Sequence, residues 1–276
     1  MPSVFHFIIS LQKNRCMSKT ITIYNNKGGS GKTMLAVNLA ACLAVQGYRT
    51  LVIDSDDQCN ATAYMNGLDF SPTVADVYNL SLSELPVYKS EYHDNLFLTP
   101  ASGGLDLMDR QMFCRGEGEY LTLKRAMKHV RNDFDYIFID TPPTSRSVLG
   151  YNALLASDYI LTPVDVDGLG GLFGLPKVLE FINEVTSLHN NNLRWLGMVL
   201  NKCQNNWSTN EVINQAKDFL SQDNLEKSIF KTQVKYMNRL GNSSINKNPI
   251  IFSEPNGIGA ANFTQLSKEF IKRIKQ

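Results

Sequence analysis

Residues 26–33 read Asn26-Lys27-Gly28-Gly29-Ser30-Gly31-Lys32-Thr33. Just before them, Thr20–Tyr24 is a short run rich in β-formers. After them, Lys32–Gln46 carries Leu35, Leu39 and Leu43 at helical spacing, and Ala36, Ala40 and Ala44 let that helix lie close to a sheet. Gly47 follows as a helix stop. A strand, a glycine-rich loop and a helix in that order form the context in which such a loop cradles phosphate. Glycines let successive backbone N–H groups face one anion, and the helix start adds its positive dipole end. Lys32 is then placed to reach β- and γ-phosphates, and the Thr33 hydroxyl to coordinate Mg2+. A dinucleotide loop of the form G-x-G-x-x-G is excluded, because Met34 stands at the third glycine position of a pattern begun at Gly29.

Outward from the loop, strands are expected at Thr50–Ile53, Asn95–Leu98, Tyr136–Ile139, Asp158–Val164 and Leu196–Leu200, and helices at Leu121–Val130, Leu175–Thr186, Glu211–Leu220 and Phe263–Ile274. Residues 69–95 and 241–256 are the most loop-like. Short apolar strands alternating with helices predict an α/β fold: a doubly wound, mostly parallel sheet flanked by helices. Two predicted strands run straight into carboxylates, Asp54 and Asp140, which sets acidic groups at the carboxyl edge of the sheet beside the loop.

The chain has 276 residues, 43% of them hydrophobic and 19% charged, with a formal net charge of +1. That balance supports a sizeable core and excludes a strongly basic nucleic-acid binder; any DNA binding must come from a local patch. Five cysteines stand singly, without a CxxC pair, which speaks against zinc or an iron–sulfur cluster and fits a reducing cytoplasm. The apolar run Val4–Leu11 precedes Lys13 and Arg15, the reverse of a secretory signal, and is too short to span a bilayer. Residues 1–17 are expected to be a disordered tail or an extension from an upstream start, and residues 18–276 a single ATPase domain.

Lys-Gly-Gly-x-Gly-Lys-Thr at 27–33 resembles the deviant Walker A motif of the ParA/MinD ATPases, which partition plasmids and chromosomes or position division sites. Asp54-Ser55-Asp56-Asp57-Gln58-Cys59-Asn60-Ala61-Thr62 resembles that family's switch I segment, D-x-D-P-Q-G-N-A-T, with Asp57 and Cys59 in place of the proline and glycine. Phe134-Asp135-Tyr136-Ile137-Phe138-Ile139-Asp140-Thr141-Pro142-Pro143 resembles its Walker B segment. The resemblance runs over about residues 18–275 and implies ATP and Mg2+ as cofactors. It implies that Lys27, Gly28, Gly29, Ser30, Gly31, Lys32, Thr33 and Met34 line the nucleotide, that Thr33, Asp54 and Asp140 serve the metal, and that Asp56 positions the attacking water. It also implies an ATP-bound homodimer in which Lys27 crosses to the partner's ATP; read alone, Lys27 is a solvated loop lysine. Asn201 is expected to read the adenine edge, or else to be an ordinary turn asparagine. Asp57 and Cys59 add charge and bulk beside Asp56, which bears on the rate of hydrolysis more than on binding.

The same resemblance implies a slow switch that works with a ParB-like partner and binds nucleoid DNA without sequence preference. The basic candidates are Lys231, Lys235, Arg239 and Lys247, with Tyr236 and Met237 interleaved; the plainer reading is a solvated basic face. Two alternatives stand beside it: a MinD-like membrane-associated ATPase, and an ATP-binding recruiter with negligible hydrolysis. For the first, Phe263, Leu266, Phe270, Ile271 and Ile274 form an apolar stripe in the last helix, but core packing is the expectation for a stripe that follows directly on the 257–259 turn.

Overall fold

The computed structural model describes residues 18–144, 146–166, 172, 174–236 and 248–276. The expected tail at residues 1–17 and the candidates Arg239 and Lys247, with Met237, lie outside these residues. In chain order the elements are β1 (Lys19–Ile23), α1 (Lys32–Val45), β2 (Thr50–Asp54), α2 (Asn60–Tyr64), α3 (Val74–Tyr78), β3 (Tyr88–Lys89), β4 (Leu96–Thr99), α4 (Leu105–Arg115), α5 (Thr122–Ala126), β5 (Tyr136–Asp140), α6 (Val148–Ala156), β6 (Tyr159–Asp165), α7 (Leu175–Leu188), β7 (Arg194–Asn201), α8 (Trp207–Ser221), α9 (Ile250–Ser253) and α10 (Ile258–Ile274).

Among the described residues the strands form one sheet in the order β3-β4-β2-β5-β1-β6-β7. Every pairing is parallel except β3 with β4, so the mostly parallel, doubly wound sheet read from the sequence is the one observed. The chain leaves β1 towards β2 on one side, while β6 lies on the other. The crevice beyond the carboxyl end of β1 is therefore a switch point, where open α/β sheets bind ligands.

Alternation along the strands explains the two covered faces. Ile21, Ile23, Val52, Tyr136 and Phe138 point to one face, packing with Leu35, Leu39 and Leu43 of α1 and with Phe263, Leu266 and Phe270 of α10. Leu51, Ile53, Ile137 and Ile139 point to the other, against Val74 and Tyr78 of α3, Leu105 and Met112 of α4, and Leu149 of α6. The apolar stripe of the last helix is thus core: Phe263, Leu266 and Phe270 are fully buried, and the Phe270 ring meets those of Tyr136 and Phe138. Removing such a ring costs about 3–5 kcal/mol. No helix among the described residues is long and apolar enough to cross a membrane.

Candidate nucleotide site

The phosphate loop closes on left-handed backbone. Gly31, with φ of +93°, caps α1, and a Cβ there would lie 2.1 Å from the Asn201 amide nitrogen. Only glycine meets both demands. The loop is also held from beneath. Asn25, fully enclosed, donates through Nδ2 to the Pro163 carbonyl of β6 at 2.7 Å and accepts the Lys27 N–H at 2.9 Å. Asn201, at the end of β7, donates to the Ser30 carbonyl at 2.9 Å, and its Oδ1 accepts the Lys202 N–H. The amide of Asn201 is thus packed on the loop, with both ends engaged. Asn25 was not singled out from the sequence; an Asn two residues before the loop lysine has the reach of an Asx turn, and that was its available signal.

Under the loop, Lys32 is only 7% exposed and donates to the Lys27 carbonyl at 3.4 Å. Burial lowers the pKa of its ammonium, and the nearby Asp140 and Asp56 carboxylates oppose that shift. Lys27, Thr33 and Met34 are half-buried, while Gly28 and Gly29 are exposed. Parallel pairing sets Asp54 beside Asp140 and Ile23 beside Asp140, so the two carboxylates stand together where β1 enters the loop.

The carboxylates differ in what satisfies them. Asp54 is fully buried; its Oδ2 accepts the Thr62 N–H and hydroxyl, both at 2.7 Å, and its Oδ1 accepts the Asp56 N–H at 3.1 Å. Burial pushes its carboxyl up to about 6, against those hydrogen bonds. Asp140 is equally buried, and neither oxygen has a hydrogen-bond partner. Its carboxyl is raised well above the usual range, first by burial and then by Asp54, while the Thr33 hydroxyl, close by but outside hydrogen-bond geometry, and Lys32 pull it down. Asp56 is 6% exposed and accepts the Gln58 N–H at 3.0 Å; burial raises it as well, with Lys32 opposing.

An orphaned carboxylate under a phosphate loop, next to a threonine hydroxyl, has the chemistry of a magnesium site: hard oxygen donors, few of them, with the remaining positions left to water and phosphate. Asp54 keeps one lone pair free on Oδ1. Among the described residues no cluster of three or more His, Cys, Asp or Glu could hold a metal alone.

Two departures from the motif have visible consequences. The Asp57 Oδ1 accepts the Gly104 N–H at 2.7 Å, and its charge still adds to the upward push on Asp56. Cys59 sits at φ of +50°, a left-handed position that favours the usual glycine. Lys231 and Lys235 take no part in the loop's contacts. Both are exposed, on a segment whose backbone N–H groups are held by Glu269 and Asn262 of α10. Tyr236 is 49% exposed, so it is not core.

Comparison with known proteins agrees with this geometry. The AAA domain family model matches residues 18–195. The sporulation initiation inhibitor protein Soj of Bacillus subtilis (strain 168) is 33% identical over 257 residues, covering 92% of this chain and 98% of that protein. The chromosome-partitioning ATPase Soj of Treponema pallidum (strain Nichols) is 29% identical over 261 residues, covering 94% and 100%. Among solved structures, apo McdA of Cyanothece superposes with a TM-score of 0.79 at 25% identity, covering 92% of this chain and 99% of that one. With a matching domain model, a full-length Soj relative and the phosphate-loop architecture in agreement, the chain belongs to the ParA/Soj-type partition ATPases of the ParA/MinD family.

Proposed function

We propose that this chain is a switch ATPase of plasmid or chromosome partition: it binds ATP with Mg2+, dimerises around the nucleotide, hydrolyses it slowly, and binds DNA without sequence preference as the ATP dimer. The observation that carries this reading is the buried group under the loop, with Lys32 near Asp56 and Asp140, Asp54 beside Asp140, and Asp140 lacking any hydrogen bond. A metal ion there gives the Asp140 oxygens the direct partner that the described residues do not supply.

The loop amides and Lys32 hold the β- and γ-phosphates, and Thr33, Asp140 and, through water, Asp54 hold the metal. Bound there, Mg2+ supplies charge neutralisation on the phosphoryl oxygens. Asp56 accepts a hydrogen bond from the attacking water and orients it in line. Lys27, half-buried at the rim, extends to the partner protomer's phosphates. Asn201 lies against the loop, and reading an adenine edge requires it to give up its bond to Ser30. The Asp57 carboxylate is engaged by the Gly104 N–H, which favours a working ATPase over a recruiter with negligible hydrolysis. Burial of the α10 stripe favours the DNA-binding reading over a membrane-bound one. Lys231 and Lys235 are the described part of the DNA-contacting patch, a ParB-like protein is the partner that stimulates turnover, and the cytoplasm, on the nucleoid, is where the protein works.

Phosphate release from ATP tests the reading. The expected result is slow turnover that requires Mg2+ and rises with DNA and a cognate centromere-binding partner. Absence of phosphate release under all of these conditions contradicts it.

A further inference from the structure

The segment that follows Asp56, residues 57–62, is tied at both ends to one turn, residues 101–106. At one end, Thr62 donates its hydroxyl to Asp54 and accepts the Ala101 N–H at 2.8 Å. At the other, the Asp57 carboxylate accepts the Gly104 N–H at 2.7 Å and lies 3.4 Å from the Asp106 N–H. Those amides open α4, an eleven-residue helix whose own cap, Gly104, has no side chain to offer them. Asp57 supplies the acceptor from another part of the chain, and its negative charge meets the positive end of the helix. Asp56 stands directly before the first tie, donating its N–H to Asp54 and accepting the Gln58 N–H, and the left-handed Cys59 lies between the two ties. A strained residue at that point needs both flanks held if Asp56 is to keep one position.

We propose that Asp57 is a positioning residue for hydrolysis, holding Asp56 over the phosphate loop by anchoring its segment to the N-terminus of α4. The inference rests on the ATPase reading above, and it assigns a task to the residue that stands in place of the motif's proline. Asp57 acts through hydrogen-bond acceptance, so an amide can substitute for it. It acts on the water-orienting step, so nucleotide binding does not depend on it.

The test compares the full-length protein with its Asp57→Ala and Asp57→Asn variants. It measures steady-state phosphate release from Mg-ATP, together with hydrogen exchange over residues 101–106. Asp57→Ala is expected to lower kcat about tenfold with KM changed less than twofold, and to speed exchange at Gly104 and Asp106. Asp57→Asn, which keeps the acceptor, is expected to restore most of kcat and the protection. A change confined to KM, or an alanine variant with normal kcat, overturns the proposal, as does an asparagine variant no better than alanine. A wild-type protein that releases no phosphate instead refutes the ATPase reading, and the role of Asp57 falls with it.

Discussion

Asp54 and Asp140 are register partners at the ends of β2 and β5, both fully buried, and one accepts three hydrogen bonds while the other accepts none. Their replacement should therefore have opposite effects. In Asp54→Asn, either orientation of the amide sets its NH2 against an N–H donor, from Thr62 or from Asp56. The nucleotide-free protein should lose about 1–3 kcal/mol. Asp140→Asn breaks no hydrogen bond and replaces a carboxyl that burial and Asp54 already push towards its neutral form, so its nucleotide-free melting temperature should stay level or rise. The added stabilisation by ATP with Mg2+ over ATP with EDTA should vanish. Thermal melts of the two variants, with and without Mg-ATP, check both statements.

The two loop lysines should separate binding from assembly. Lys32 is enclosed under the loop, so Lys32→Ala should abolish ATP binding in isothermal titration. Lys27 sits at the half-exposed rim, so Lys27→Ala should bind ATP at near wild-type affinity while failing to dimerise or to release phosphate. A Lys32 variant with wild-type affinity, or a Lys27 variant with normal turnover, contradicts the assigned roles.

Cys59 should be a poor fit to its own backbone. Its left-handed φ costs about 1–2 kcal/mol in a residue with a Cβ, and glycine avoids that penalty. Cys59→Gly should raise stability by about 1 kcal/mol, read as an upward shift of the urea midpoint. Burial, reinforced by Asp54, Asp57 and Asp56, pushes the thiol up to about 11. A group raised in the folded state lends stability below its ordinary pKa near 9 and loses it as pH rises through 11. The advantage of Cys59→Gly should therefore grow above pH 9.

How much of this was readable before folding depended on the range of the interaction. The β2 and β5 runs were legible because both faces of each strand are buried, which leaves uninterrupted apolar residues. Helix α6 was not, because Val148–Ala156 is apolar nearly all round and shows no helical period. Helix α4 escaped for the opposite reason: Leu107 and Phe113 are exposed at 61% and 69%, while only Leu105 and Met112 are fully inside. The helix expected over Leu121–Val130 is a single α turn, Thr122–Ala126, between 3-10 turns. At the site, the loop and its carboxylates follow from local spacing. The bonds from Asn25 to Pro163, Asn201 to Ser30 and Asp57 to Gly104 join residues 138, 171 and 47 positions apart, and nothing local announces such pairings.

The exposed pair Lys231 and Lys235 should act on DNA additively and without sequence preference. Replacing both with Ala should weaken binding by the ATP-bound protein and lower the slope of log affinity against log salt by about 2, while leaving ATP affinity unchanged. Fluorescence anisotropy with two unrelated duplexes over a salt series measures this. An unchanged slope removes these lysines from the DNA contact.

The nucleotide-dependent dimer is the central claim, and size-exclusion chromatography with light scattering tests it most directly. With ATP and Mg2+, in a variant slowed at Asp56 so that nucleotide persists, the protein should elute at twice the chain's mass, and with ADP at the mass of one chain. The same mass in both nucleotides would contradict the account.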